Sequence, residues 1–251
     1  MRLELKKINE AINAISYSID TEQYEEALLG SEIMLNELEK YEKSESVFRL
    51  FFNLAGQFID AGTSLRNKNA VSKGIQILET YSEHYENQSN INYYYNLANG
   101  KLALANDCGY SEDDVNFKNI ELFNDVKNLY WKAYKLIKKE DNYDLYQQNI
   151  INLANVLKQQ FRFSEALKLY DLVIKENTPY PQAWLNRTSC LKQFDQLLDH
   201  RTSKMIMEII KGYKFACNSH LTPNIWKPYY KNQVNFLTEQ LDSALLHKDF
   251  I

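Results

Sequence analysis

The closest thiol and imidazole in the chain are Cys217 and His220, in "CNSH" at 217–220. A structural zinc site needs four ligands, so a second pair must stand nearby in space. Cys190 is the one further thiol near enough in sequence to be considered, and nothing supplies a convincing fourth ligand. No metal and no cofactor is therefore expected. The expected roles are a buried thiol and a surface imidazole, and the same holds for His84, His200 and His247. Adjacent carboxylates occur at Glu25-Glu26 and Asp113-Asp114. Both pairs fall on predicted helix starts or turns, where solvation and the helix dipole account for them. The phosphate-binding patterns GxxxxGK and GxGxxG are absent. No catalytic residue is assigned, and the chain is expected not to be an enzyme.

A different kind of residue recurs. "NLAN" stands at 96–99 and 152–155, and "NLAG" at 53–56. The elements that carry these stretches are helical by periodicity. Leu3, Ile8, Ala11, Ile12, Ile15 and Ile19 form one side of a first helix. Asp20 or Thr21 is expected to cap a second, with acidic residues in its first turn. A third helix is predicted to end near Gly62 and a fourth to span 69–86. Helices at 91–107 and 120–140 flank a turn-rich stretch at 107–116, and "YDLYQQNIINLANVLKQQ" pairs with "FSEALKLYDLVIKEN" across a very short turn. Residues 180–194 pair with 202–218. A last helix starts after Pro223 and tolerates Pro228 because that residue lies in the first turn. Seven Gly and four Pro are few for 251 residues, which also favours long helices over a β-rich fold.

Asn186 lies 34 residues after Asn152, and Trp184 lies 34 after Ile150. Between them, Leu153, Ala154 and Leu157 on one helix face Ala166, Tyr170 and Val173 on the next. Small residues admit a neighbouring backbone and the aromatic fills the gap beside it. The second-helix spacing returns as Val126, Tyr130 and Ala133, and as Ile209, Tyr213 and Ala216. Ala27 and Gly74 are the expected small positions of the first two hairpins.

This pattern resembles the tetratricopeptide repeat (TPR). Over 147–180 it reads Ile150, Leu153-Ala154, Leu157, Phe163, Ala166, Tyr170, Val173 and a late Pro179, with Ala154 where the family has Gly. Other intervals depart from 34: Asn53 to Asn96 is 43 and Asn96 to Asn152 is 56. The resemblance implies an all-α, right-handed superhelical α-solenoid in one domain, 1–251. It would hold about five antiparallel hairpins, at 3–41, 46–86, 90–139, 143–176 and 180–217, and a capping helix at 224–246. Val234, Leu237, Leu241 and Leu245 would seal the last hairpin. Trp226, Tyr229 and Tyr230 would pack beneath that helix or form a patch for self-association.

In such solenoids the first helix of each hairpin lines the concave face. By resemblance, Asn53, Asn96, Asn152 and Asn186 lie exposed in a partner-binding groove. Gly56, Asn99, Asn155 and Ser189 stand one turn on, and Tyr95, Lys158, Gln159, Lys192 and Gln193 share the face. Asparagine both donates and accepts, so such a ladder would grip an extended peptide backbone. The alternative is that these amides bond within the superhelix or to water. TPR proteins that hold acidic chaperone tails carry Lys one place before the repeated Asn. Here that place is Phe52, Tyr95, Ile151 or Leu185, so chaperone-tail binding is not expected. In "YYY" at 93–95, one ring is expected in the core and two half exposed.

A formal net charge of −4 disfavours a dominant nucleic-acid role, and the one basic cluster, Arg66, Lys68 and Lys73, is small. Three widely spaced cysteines argue against a disulfide framework and fit a reducing cytosol. No apolar leader and no run of about 18 apolar residues is seen, so membrane association is not expected and the cytoplasm is. Abundant Asn, Lys, Ile and Tyr point to an AT-rich bacterial genome. The expected function is a non-catalytic protein–protein interaction module, an adaptor or accessory and sensor subunit of a bacterial complex such as an antiphage defence effector. The alternatives are the N-terminal repeat region of a longer nuclease-type protein and an RNA-binding solenoid. Several HEPN-type proteins have the former layout, but the Arg-spacer-His of HEPN ribonucleases is absent, since His200 precedes Arg201.

Overall fold

A computed structural model describes residues 2–87, 90–106, 120–138, 142–175, 181–198 and 202–247. Cys108, Asp113-Asp114, Pro179, His200 and Arg201 lie outside these residues, as does the side chain of Leu245. Among the described residues there are helices and no strand. The helices are α1 (Arg2–Asp20), α2 (Tyr24–Leu38), α3 (Glu45–Ser64), α4 (Lys68–Thr80), α5 (Ser82–Asn87), α6 (Ile91–Ala105), α7 (Ile120–Leu136), α8 (Tyr143–Gln159), α9 (Phe163–Lys175), α10 (Pro181–Leu198), α11 (Ser203–Asn218) and α12 (Lys227–His247). They fall into two compact units, Met1–Ile137 and Lys138–Ile251.

In the first unit α1 packs on α2, α3 on α4 and α6 on α7. Each pair also stacks on the next, through α2 on α3 and α4 on α6, while α1, α3 and α6 touch in succession. A helix therefore meets its own mate and the neighbouring pair, which is how stacked helical repeats bury a continuous core. Leu38, Leu54, Phe58 and Leu78 are fully buried at these seams. Each such side chain stabilises by about 1.5–3 kcal/mol relative to water exposure. Gly74 is required where α4 crosses α3, because a Cβ there would stand 2.6 Å from the Ala55 carbonyl oxygen. Buried Gln57 ties α3 to α1, donating from Nε2 to the Ile12 carbonyl at 2.7 Å and to Ser16 Oγ at 2.9 Å.

The second unit repeats the scheme. α8 packs on α9, α9 on α10, α10 on α11 and α11 on α12, and α8 also touches α10. Ile150, Leu153, Ala154, Ala166, Tyr170 and Val173 are all fully buried, as the spacing predicts. Leu191, Ile206, Ile209, Ile210, Tyr213 and Leu237 form a further cluster, covered by Tyr230, Val234 and Leu241 of α12. Arg187 on α10 bridges its neighbours, with Nε 2.7 Å from Asp171 on α9 and Nη1 3.1 Å from Glu208 on α11.

Three turns are built alike. Glu22, Arg66 and Phe161 have φ of 63°, 55° and 58°, the left-handed region. In each, the following N–H reaches back five residues: Gln23 to Ser18 at 2.7 Å, Asn67 to Gly62 at 2.7 Å and Arg162 to Leu157 at 2.9 Å. This is the Schellman closure, which normally employs Gly at the left-handed position. Here the described glycines lie inside helices, and none has positive φ.

Several local expectations change. Asp20 ends α1 and does not cap α2, whose N-cap is Gln23. Thr21 instead donates its hydroxyl back to the Tyr17 carbonyl at 2.9 Å. Gly62 does not end α3, which runs to Ser64; it is buried where α4 passes close. The single fourth helix is broken at Tyr81, and α5 follows. In the tyrosine triplet two rings, Tyr93 and Tyr94, are buried, and only Tyr95 is half-buried.

Candidate functional site

The repeated asparagines occupy one register position on α3, α6, α8 and α10, and their surroundings differ. Asn53 is exposed, Asn96 and Asn152 are half-buried. Asn186 is expected at an open groove but is 5% exposed, with Gln182 Nε2 donating to its Oδ1 at 2.8 Å. The expected exposure is lost there, since α10 packs against both α9 and α11.

One turn on, the asparagines serve the hairpins. Tyr130 on α7 donates its hydroxyl to Asn99 Oδ1 at 2.6 Å, and Tyr170 on α9 donates to Asn155 Oδ1 at 2.6 Å. Both tyrosines are fully buried, so each hydroxyl must find an acceptor, and the first helix of its own pair supplies it. The α3–α4 pair has Gly56 in place of the asparagine and the buried Leu78 on its second helix. A Cβ at Gly56 would stand 3.3 Å from Asn96 Nδ2, so that position is filled from α6. In the α10–α11 pair Lys192 Nζ donates to the Tyr213 hydroxyl at 3.5 Å.

Lys158 is likewise expected in the groove and is instead 6% exposed, with Nζ 3.2 Å from Ser189 Oγ. Tyr95 lies half-buried with its ring edge-on to Tyr130, centroids 6.0 Å apart. The open polar face of α3 continues beyond Asn53 and Gly56 to Asp60, seven residues on. Asp60 has no ion pair among the described residues. Asp60 is exposed, and loss of water on the side that faces the protein still pushes its carboxyl upward, to about 6. The sequence reading missed Asp60, although following the asparagine face one more turn along α3 reaches it.

The chemical candidates resolve differently. Cys190 is buried, and burial pushes its thiol up to about 12, far from nucleophilic at neutral pH. Cys217 donates weakly to the Lys227 carbonyl at 3.8 Å, and His220 is exposed. His84 is not a surface imidazole. It is half-buried and stacked on Phe48 at 4.1 Å between centroids. Among the described residues no three His, Cys, Asp or Glu side chains are grouped to hold a metal. No helix among them is long and apolar enough to cross a membrane.

The fold and the contacts between successive pairs define an all-α helical-repeat protein. No family of known proteins, no curated protein and no solved structure matches the chain.

Proposed function

We propose that the chain is a non-catalytic interaction module. In this reading it is a TPR-like, right-handed array of about five hairpins with α12 as its cap. It holds an extended peptide or a helical partner against the first helices. The observation that carries this is the recurrence of asparagine at one register position, exposed at Asn53 and half-buried at Asn96 and Asn152, one turn from the asparagines that receive tyrosine hydroxyls. An amide repeated at one register position of successive helices fits recognition of peptide backbone. Asp60 adds an acceptor on α3. An adaptor or accessory role in a bacterial complex, such as an antiphage effector, follows by analogy with other helical-repeat proteins.

The test is affinity purification of the whole chain from its native host, beside a variant carrying Asn53→Ala, Asn96→Ala and Asn152→Ala. Far-UV circular dichroism should not change. Recovery of the protein partner should fall about tenfold or more, the scale of losing one to two net hydrogen bonds. Undiminished recovery overturns the reading, as does a variant that unfolds or a preparation in which RNA is enriched and no protein is.

A further inference from the structure

Two helices present matching stripes to solvent. The exposed residues of α2 are Glu25, Glu26, Leu29, Ile33 and Asn36, and at 3.6 residues per turn they fall within about 100° of arc. Leu29 and Ile33 are 65% and 55% exposed, with the two carboxylates one turn before Leu29 on the same side. The exposed residues of α11 are Lys204, Met207, Lys211, Lys214 and Asn218, which fall within about 80° of arc. Met207, 51% exposed, lies between Lys204 and Lys211. Both stripes join apolar to charged side chains, one acidic and the other basic.

The charges within the stripes are those their own surroundings leave over. Glu32 and Glu37, at the borders of the α2 stripe, pair with Lys73 and Lys40. Glu208, beside the α11 stripe, pairs with Arg187. Glu25, Glu26, Lys204, Lys211 and Lys214 have no ion pair among the described residues. Lys211 is held on this face, with Nζ 5.4 Å from the centre of the Trp184 ring. Register decides how the two stripes fit. Set antiparallel, Glu25 meets Lys214 and Glu26 meets Lys211, while Met207 falls midway between Leu29 and Ile33. Set parallel with Met207 on Leu29, Lys211 falls on Ile33 and one lysine alone reaches the two carboxylates.

We propose that α11 of one copy of this chain docks antiparallel on α2 of the next. Every copy carries both halves of the contact, and each half supplies the charge that the other lacks. Met207 closes over Leu29 and Ile33 and takes their exposed apolar surface out of water. The two carboxylates and the facing lysines pair at its edge. The contact is heterologous, so a copy docked through α2 still presents its own α11, and association continues until it closes into a ring or runs on as a filament. One helix pair buries less than a standard interface, so each contact is weak, and salt weakens it further.

Sedimentation velocity of the whole chain over a range of concentrations and at low and high salt reads this directly. At low salt the mean mass should rise with concentration from 29.6 kDa to beyond twice that value. Leu29→Lys disables the α2 stripe and Met207→Lys the α11 stripe, and each should weaken association about tenfold or more, the scale of losing an apolar anchor. Mixed in equal amounts, the two variants retain one intact contact between them, so they should form a pair of twice 29.6 kDa and nothing larger. Glu26→Lys and Lys211→Glu should each weaken association, and the two together in one chain should restore it, because the pair couples. All four positions are exposed, so circular dichroism should not change. A chain that remains 29.6 kDa at every concentration overturns the proposal, whatever the variants do. So does an assembly indifferent to Leu29→Lys or to Met207→Lys, or a mixture of the two no heavier than either alone.

Discussion

At Asn67, Asn90 and Asn142 the side-chain oxygen caps a helix, accepting from Ala70, Tyr93 and Leu145 at 3.0–3.2 Å. At Asn99 and Asn155 it receives a buried tyrosine, and at Asn53 it faces water. One residue type thus holds helix ends, hairpin pairs and an open face, according to what stands opposite. Tyr170→Phe should cost about 1–2 kcal/mol in urea denaturation, since it leaves the Asn155 oxygen without that donor. Asn155→Ala should then cost less in the Tyr170→Phe background than alone; equal costs would show that the two do not act together. Asp60 gives a pH-dependent test. Its carboxyl rises from 3.8 to about 6 on folding. As pH rises through that window the unfolded chain ionises first, so the native state loses stability, and the loss is complete above 6. Asp60→Asn should therefore raise the urea midpoint at neutral pH, modestly because the side chain is exposed, and leave it unchanged below about pH 3, where both states are protonated. An equal gain at both pH values would refute this account.

At the scale of elements, the three left-handed turns and the helical glycines are two sides of one arrangement. Glycine sits where helices cross closely, as at Gly74 and at Gly212, where a Cβ would overlap Thr188 Oγ1. The turns instead use Glu22, Arg66 and Phe161. A non-glycine residue in this conformation costs roughly 1 kcal/mol, partly offset in the unfolded chain by its smaller entropy. Glu22→Gly should therefore raise the thermal midpoint slightly, by about 0.5 kcal/mol in stability, while Glu22→Ala should not. Scanning calorimetry of the two variants separates them. If alanine stabilises as much as glycine, side-chain charge and not backbone conformation is responsible. The hidden turns also explain the misplaced cap of α2 and the misplaced end of α3. A reader of sequence looks for Gly or Asn at a turn, and here Gly62 is spent on packing.

At the scale of the whole molecule, each unit has its own core and the same rule of assembly: mate, then neighbour. Its contacts link helices close to one another in order, so sequence-local patterns carry most of the architecture. The aromatic at the second-helix position recurs as Tyr130, Tyr170 and Tyr213, all buried.

The helical class, the pairing of helices and the core positions from Val126 to Ala216 were legible in the residues alone, because burial in a repeat follows a short period that the chain states several times. The small positions Ala27, Gly74, Ala154 and Ala166 were legible for the same reason. The candidate site was legible only in part. Asn53 is exposed as the pattern predicts, but the burial of Lys158 and Asn186 did not show in the sequence. Nor did it show that Asn99 and Asn155 answer tyrosines 31 and 15 residues away. Periodicity assigns a side chain to one side of its own helix. Whether that side meets water, a hydroxyl or another helix depends on the crossing of neighbours, which tertiary packing alone decides.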